Sequence, residues 1–364
     1  LVEMSNSYVI PEECRAAVVF NEGPNFTMKT QMVKVPVPGP DEVLIKLNAT
    51  GICYSDIHYM LNDTGGRKMS ASGICSAGHE GAGVVVKLGE NVKTFQVGDR
   101  AGVKPIWYTC GSCSLCWGGK EVHCQRKILT GVGATGTFQH YVVSPARYTT
   151  MIPDGVPDNI AAPAMCSAAT AYRSIRESEL TVGSWATIIG GGGGVGIQAV
   201  QIAKAFGLRP IVVDTGSEKR DLSLKMGAEA FVDFKEVPDA VAEVLALTGG
   251  IGSHGVFVIA PSAYPTAIGY IGARIGGVIM CIGLPAASSG QGMNVDPTIM
   301  ILKNLSIKGT LVGTMKDTEA VLQLIQRGLV REVCEVLPFE RFPEAVNRLR
   351  KGQVAGKLVI DYEA

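Results

Sequence analysis

The apolar positions of this chain change their pattern twice, and each change marks a boundary. From Cys14 to about Cys166, short apolar segments such as EVLIKLNATG and GAGVVVKLG are cut by Gly and Pro turns. That texture predicts a β-rich, loop-rich unit. From about Ser167 to Val312, apolar runs alternate with helix-period segments, in the order WATIIGGG, VGIQAVQIAKAFG, RPIVVDTG, KRDLSLKMG and AFVDF. This alternation predicts βαβ units on a parallel, doubly wound sheet. After Gly313 two helix-like segments, DTEAVLQLIQRG and FPEAVNRLRKG, precede a final strand, KLVIDYE. The tail is expected to return to the first unit, so the α/β chain divides into residues 1–166 with 313–364, and residues 167–312. No internal repeat, low-complexity tract or long linker interrupts it.

Composition narrows the class. A length of 364 residues suits about two domains. Zero net charge and a sequence pI of 7.1 argue against nucleic acid or an acidic membrane surface as a partner. No apolar run approaches the roughly 18 residues that span a bilayer, and the stretch LVEMSNSYVIPEE lacks the basic and apolar regions of a secretory signal. Of ten cysteines, six fall in motifs that metal binding explains, which points to a reducing compartment and a cytoplasmic location. Cys14, Cys75, Cys281 and Cys334 are left over and read as ordinary thiols.

Four of the six, Cys110, Cys113, Cys116 and Cys124, lie in TCGSCSLCWGGKEVHC. Thiolates two residues apart on a tight loop can face one ion, and four of them suit structural zinc. A pair of disulfides and an iron–sulfur cluster are the alternatives. A second set is dispersed: Cys53 in GICYSDIH, His79 in AGHEGAG and Cys166 in PAMCSAATAY. Two thiolates and one imidazole leave a fourth zinc position open for water or substrate. Taken singly, each has an ordinary reading as a small buried thiol or a satisfied polar residue. The carboxylates Asp56 and Glu80 stand beside these candidates, as expected of groups that orient an imidazole and tune a metal.

The glycine run in TIIGGGGGVGIQAV follows an apolar strand and opens an amphipathic helix. Gly191, Gly193 and Gly196 fit the dinucleotide fingerprint: a tight turn, close approach of pyrophosphate, and helix packing on strand, with Gly194 and Val195 between the last two. Asp214 follows Gly196 by 18 residues at the end of the next strand. An acidic residue there binds the ribose hydroxyls and repels a 2′-phosphate, which favours NAD over NADP. Lys219 reaches the ribose edge or stands exposed at a helix start.

These three signals, in this order and spacing, resemble the zinc-dependent medium-chain dehydrogenase/reductase family, and within it the yeast-type alcohol dehydrogenases. The similarity runs from CRAAVVF to GKLVIDY and includes GHEGAGVVVKLGENVKTFQVGDRAG and DTEAVLQLIQRGLV. It implies a GroES-like β-rich catalytic domain built from both chain ends, a Rossmann coenzyme domain between them, two zinc ions per subunit, and NAD. It also implies a homotetramer, with a dimer as the alternative, acting on an alcohol and its aldehyde or ketone. In that scheme zinc on Cys53, His79 and Cys166 acts as a Lewis acid on the alcohol. Ser55 takes the alcohol proton, and His58 is the outer end of a relay to solvent. Glu80 stands behind the zinc, Asp56 orients His79, and Lys357 contacts the cofactor phosphates.

The chain departs from that family at three places. Tyr54 replaces a cationic residue near the pyrophosphate. The stretch between His58 and His79 is longer, and small residues, Thr64 and Pro105, stand near the positions of two pocket tryptophans. The open pocket this implies suits substrates larger than ethanol, unless Trp107 or Met60 refills it. Two other functions fit the same residues: a tailoring dehydrogenase or redox-neutral isomerase for a bulky conjugated substrate, and a binding protein that has lost turnover. The second is opposed by the complete zinc set with Ser55 and His58.

Overall fold

The computed structural model describes residues 8–331 and 334–364. The first seven residues and the side chain of Cys334 lie outside that description. Six strands, Trp185–Ile189, Arg209–Asp214, Ala230–Asp233, Gly255–Val258, Val278–Cys281 and Ser306–Gly309, form one parallel sheet. Helices cover both faces, so the central strands, such as GVFV, are apolar and buried throughout rather than alternating. In space the order is third, second, first, fourth, fifth, sixth. This is the Rossmann arrangement, and it reverses direction between Trp185–Ile189 and Gly255–Val258. Dinucleotides bind in such sheets at the carboxyl ends of the strands flanking that reversal.

The second sheet has seven strands drawn from both ends of the chain. Its long central strand, Glu42–Ile52, pairs antiparallel with Gly81–Leu88 on one side and with the C-terminal strand Lys357–Asp361 on the other. Two register shifts against Gly81–Leu88, at Leu44/Ile45 and Leu47/Ala49, bend this strand as it approaches Cys53.

A helical run from Asp158 to Ser178 joins the two sheets. Its alanines and Met165 pack on Ala49 and Ala82 of one sheet and on Ala199, Val200 and Ala203 of the first Rossmann helix. Small side chains permit that close approach. The run widens into a π-type turn at Ala164–Ala168, and Cys166 sits inside it. The boundary expected between residues 166 and 167 therefore falls within a continuous helix.

The glycine turn differs in one detail from the fingerprint. The left-handed residue is Gly190, at φ 82°, one position before Gly191. Gly191 instead packs closely, since a Cβ there would lie 2.7 Å from Val212. At Gly196, in the helix Gly194–Ala205, a Cβ would lie 2.3 Å from the Gly190 carbonyl oxygen. Gly196→Ala must therefore push the helix off the strand, at a cost of about 1–3 kcal/mol. A fall of several degrees in thermal midpoint is expected, and an unchanged midpoint would contradict this seating of the helix.

Candidate metal centres and coenzyme cleft

The loop carrying Cys110, Cys113, Cys116 and Cys124 brings all four sulfurs within 4.8 Å of one another. Sγ separations are 3.5 Å for Cys113–Cys116, 3.6 Å for Cys124–Cys110 and 3.8 Å for Cys110–Cys116. A tetrahedral ion with Zn–S bonds of about 2.3 Å needs sulfurs about 3.8 Å apart, whereas a disulfide needs about 2.0 Å. All four cysteines are free thiols, so the geometry suits one ion. The Ser112 backbone N–H is the largest influence lowering the Cys110 thiol, to about 5. Such a thiol is already a metal-ready thiolate at neutral pH.

The second set is assembled from three distant segments. Cys53 caps the helix Tyr54–Leu61, directly after the long central strand. Asp56, three residues on, accepts a hydrogen bond from the Cys53 backbone N–H at 3.0 Å. Its other oxygen accepts from Gly78 N–H at 3.1 Å and from His79 Nδ1 at 2.7 Å. One buried carboxylate thus fixes two of the ligand segments. Because a carboxylate only accepts, the His79 hydrogen sits on Nδ1 and Nε2 is left to bind metal. Cys166 arrives from the π-type turn, and its sulfur, Cys53 Sγ, a His79 nitrogen and a Glu80 oxygen all lie within 4.8 Å of one another. All four residues are buried. Two thiols, an imidazole and a carboxylate in this arrangement fit a zinc ion.

Protons are distributed unevenly over this set. The hydrogen bond between the two thiols holds Cys53 well below its usual value and Cys166 well above. Burial disfavours the His79 imidazolium, but Asp56 outweighs it and raises His79 well above its usual value. Burial pushes Glu80 up to about 7 against the pull of the Lys357 ammonium. Lys357 Nζ donates to Glu80 Oε1 at 2.8 Å. It also lies 2.7 Å from Oε2, off the hydrogen-bond direction, which leaves that buried oxygen without a hydrogen bond and beside the ligand set.

Lys357 lies between the glycine turn and Glu80. Its stem runs beside the glycine turn, where a Cβ on Gly194 would lie 2.9 Å from its Cδ. Its side chain is only 4% exposed, and its ammonium pairs with Glu80. Sequence spacing could not show this, because the two residues are 277 positions apart.

Ser55 and His58 lie three positions apart on the Tyr54–Leu61 helix, hence on one face. Ser55 Oγ is 3.7 Å from Cys53 Sγ. His58 is more enclosed than a group exchanging protons directly with solvent: its ring is buried, edge-on to Tyr54, and Nδ1 meets Asp63 Oδ1 at 2.6 Å. Asp63 was not singled out from sequence, and no residue pattern marks it. In the coenzyme cleft, Gly193 opens the helix Gly194–Ala205, on which Val195 and Gly196 follow. A Cβ on Gly193 would meet nothing closer than 3.5 Å, so the backbone there is open to a pyrophosphate. Asp214 accepts from Gly192 N–H at 3.0 Å and from Lys219 Nζ at 3.0 Å, which brings Lys219 to the expected ribose position but pairs its charge.

Comparison with known proteins agrees with this geometry. Residues 39–154 match the family described as alcohol dehydrogenase GroES-like domain, and residues 194–327 match zinc-binding dehydrogenase. The chain is 39% identical to an alcohol dehydrogenase of Schizosaccharomyces pombe over 354 residues, covering 97% of this chain and 99% of that one. It is 37% identical to alcohol dehydrogenase 1 of Neurospora crassa over 358 residues, covering 97% and 98%. Among solved structures it superposes on acetophenone reductase from Geotrichum candidum in complex with NAD, with TM-score 0.81 and 26% identity over 98% of this chain and 99% of that one. The chain belongs to the zinc-dependent medium-chain alcohol dehydrogenase family, and it is an oxidoreductase of that type.

The two metal sites are expected to fail differently. Cys166→Ala should abolish turnover with the fold retained. Cys113→Ala should instead lower the thermal midpoint, because structural zinc contributes folding free energy directly. Metal analysis of the parent protein should find two zinc ions per subunit; one or none would refute the assignment.

Proposed function

We propose that this protein is an NAD-preferring alcohol dehydrogenase whose substrates are larger than ethanol. The reading rests on the small side chains of Thr64 and Pro105, near the positions where the family carries two bulky pocket tryptophans. Pro105 stands two residues beyond Val103, which pairs with Gly81 next to the ligand segment. Two side chains that could refill the space, Met60 and Trp107, are engaged elsewhere. Met60 is fully buried in the core of the β-rich domain. Trp107 lines a separate surface groove of about 920 Å³ with Tyr108, Arg147 and Tyr148, and no zinc-site residue borders it. The Geotrichum candidum relative, by its name, reduces an aromatic ketone, which is in keeping with a roomy pocket on this fold.

In this reading Cys53, His79 and Cys166 would hold zinc, which would supply Lewis acidity to lower the pKa of the alcohol. Ser55 accepts the proton, His58 carries it outward, and Asp56 and Glu80 hold the ligand set. Gly191, Gly193, Gly194, Val195 and Gly196 form the pyrophosphate cradle, with Asp214 on the ribose. The catalytic domain comprises residues 1–166 and 313–364, and the coenzyme domain residues 167–312. Assembly through the coenzyme domain is supported by the edge strand Ser306–Gly309 and the adjoining helix Pro297–Lys303, whose Ile301 and Leu302 are 78% and 74% exposed. A homotetramer built on that edge, at work in the cytoplasm, completes the proposal. Among the described residues no helix is long and apolar enough to cross a membrane.

Two measurements test it. Asp214→Ser removes the charge that repels a 2′-phosphate, so the preference for NAD over NADP should relax; equal efficiency with both cofactors in the parent would refute the role of Asp214. Across ethanol, hexanol, cinnamyl alcohol and cyclohexanol, kcat/KM should rise with apolar size, because each buried methylene contributes about 0.8 kcal/mol. Ethanol as the best substrate would defeat the open-pocket reading.

A further inference from the structure

The long segment after His58 ends neither in solvent nor in its own domain. Asp63 makes two contacts in different directions. Its carboxylate accepts from His58 Nδ1 at 2.6 Å, and its backbone carbonyl accepts from the Ala287 N–H at 2.7 Å. Ala287 belongs to the coenzyme domain, in the loop that follows the strand Val278–Cys281 at its carboxyl end. That edge of the sheet is where the dinucleotide lies. A single residue therefore joins the candidate relay histidine to the far wall of the coenzyme cleft.

We propose that Asp63 is a positioning residue that couples closure of the cleft to the setting of His58. A carboxylate accepts and does not donate, so the hydrogen on His58 resides on Nδ1 and Nε2 is the nitrogen left to take a proton from the cleft. With the 62–72 segment docked on Ala287, Asp63 is held where it fixes that tautomer and ring orientation. With the segment released, the cleft is open to cofactor exchange and His58 loses its partner. The relay is thus completed only around a held cofactor. This inference rests on the reading of His58 as the outer relay group.

The two contacts can be cut separately. Ala287 is the first residue of a short 3₁₀ turn, and Ala286 before it has φ −61° and ψ 140°. Proline fits the first position of such a turn, and its predecessor already has the extended conformation that proline demands. Ala287→Pro therefore deletes the N–H donor to Asp63 without altering the Asp63 or His58 side chain itself. Stopped-flow NADH release should accelerate about fivefold, the effect of losing one ordinary hydrogen bond. Asp63→Ala should slow the single-turnover rate of alcohol oxidation about tenfold at nearly unchanged KM for the alcohol, a loss within the range for impaired acid–base transfer. Asp63→Asn, whose amide oxygen still accepts from Nδ1, should restore most of that rate.

NADH release at the parent rate in Ala287→Pro would overturn the coupling, and so would Asp63→Asn as slow as Asp63→Ala. A parent-like single-turnover rate in Asp63→Ala, together with fast release in Ala287→Pro, would instead overturn the relay reading of His58 and the coupling with it. Should Asp63→Ala fail to fold, the release rate of Ala287→Pro still decides the coupling.

Discussion

Negative charge buried at the junction of two domains is the constraint on which this structure turns. Cys53, Asp56, Glu80 and Cys166 are all buried within one site, and each ion taken out of water costs several kcal/mol unless it is compensated. Lys357 is the cation the protein sets against Glu80, while Asp56 takes the Nδ1 hydrogen of His79. One lysine leaves these groups short of positive charge, which a zinc ion held by Cys53, His79 and Cys166 would supply. Metal binding here is therefore linked to the protonation of the ligands themselves.

That constraint accounts for the connectivity around the site. Asp56 spans the Cys53 and His79 segments, Lys357 brings the C-terminal strand against Glu80, and the helical run containing Cys166 binds the two hydrophobic cores to each other. Gly356, just before the C-terminal strand, meets the glycine turn, where the Gly192 carbonyl accepts from its N–H at 2.8 Å. The contact to the coenzyme cradle and the lysine that supports Glu80 are thus consecutive residues, so a shift in either displaces the other.

Much of this was legible in the sequence because it is local. The cysteine loop, the glycine turn with Asp214, and the alternation of strand and helix each fit within a few dozen residues, where spacing carries geometric information. Asp56 was legible for the same reason, three residues from Cys53. What escaped was non-local or conformational. The Lys357–Glu80 pair spans 277 positions, and spacing alone does not show that the lysine's stem runs beside the glycine turn. The left-handed turn fell on Gly190 and not Gly191 because five consecutive glycines leave the register open. Asp63 carries no signature at all, since its importance comes from a loop that crosses to another domain.

The central claim is that two chemically unequal zinc environments coexist in one subunit, one closed and one open. Zinc X-ray absorption on the fully loaded protein reads both at once. With four sulfurs at one site and two sulfurs, an imidazole and a lighter ligand at the other, the average should be about three sulfurs per zinc with clear imidazole scattering. An average of about four sulfurs without imidazole would place all the metal in the Cys110–Cys124 loop and contradict the account.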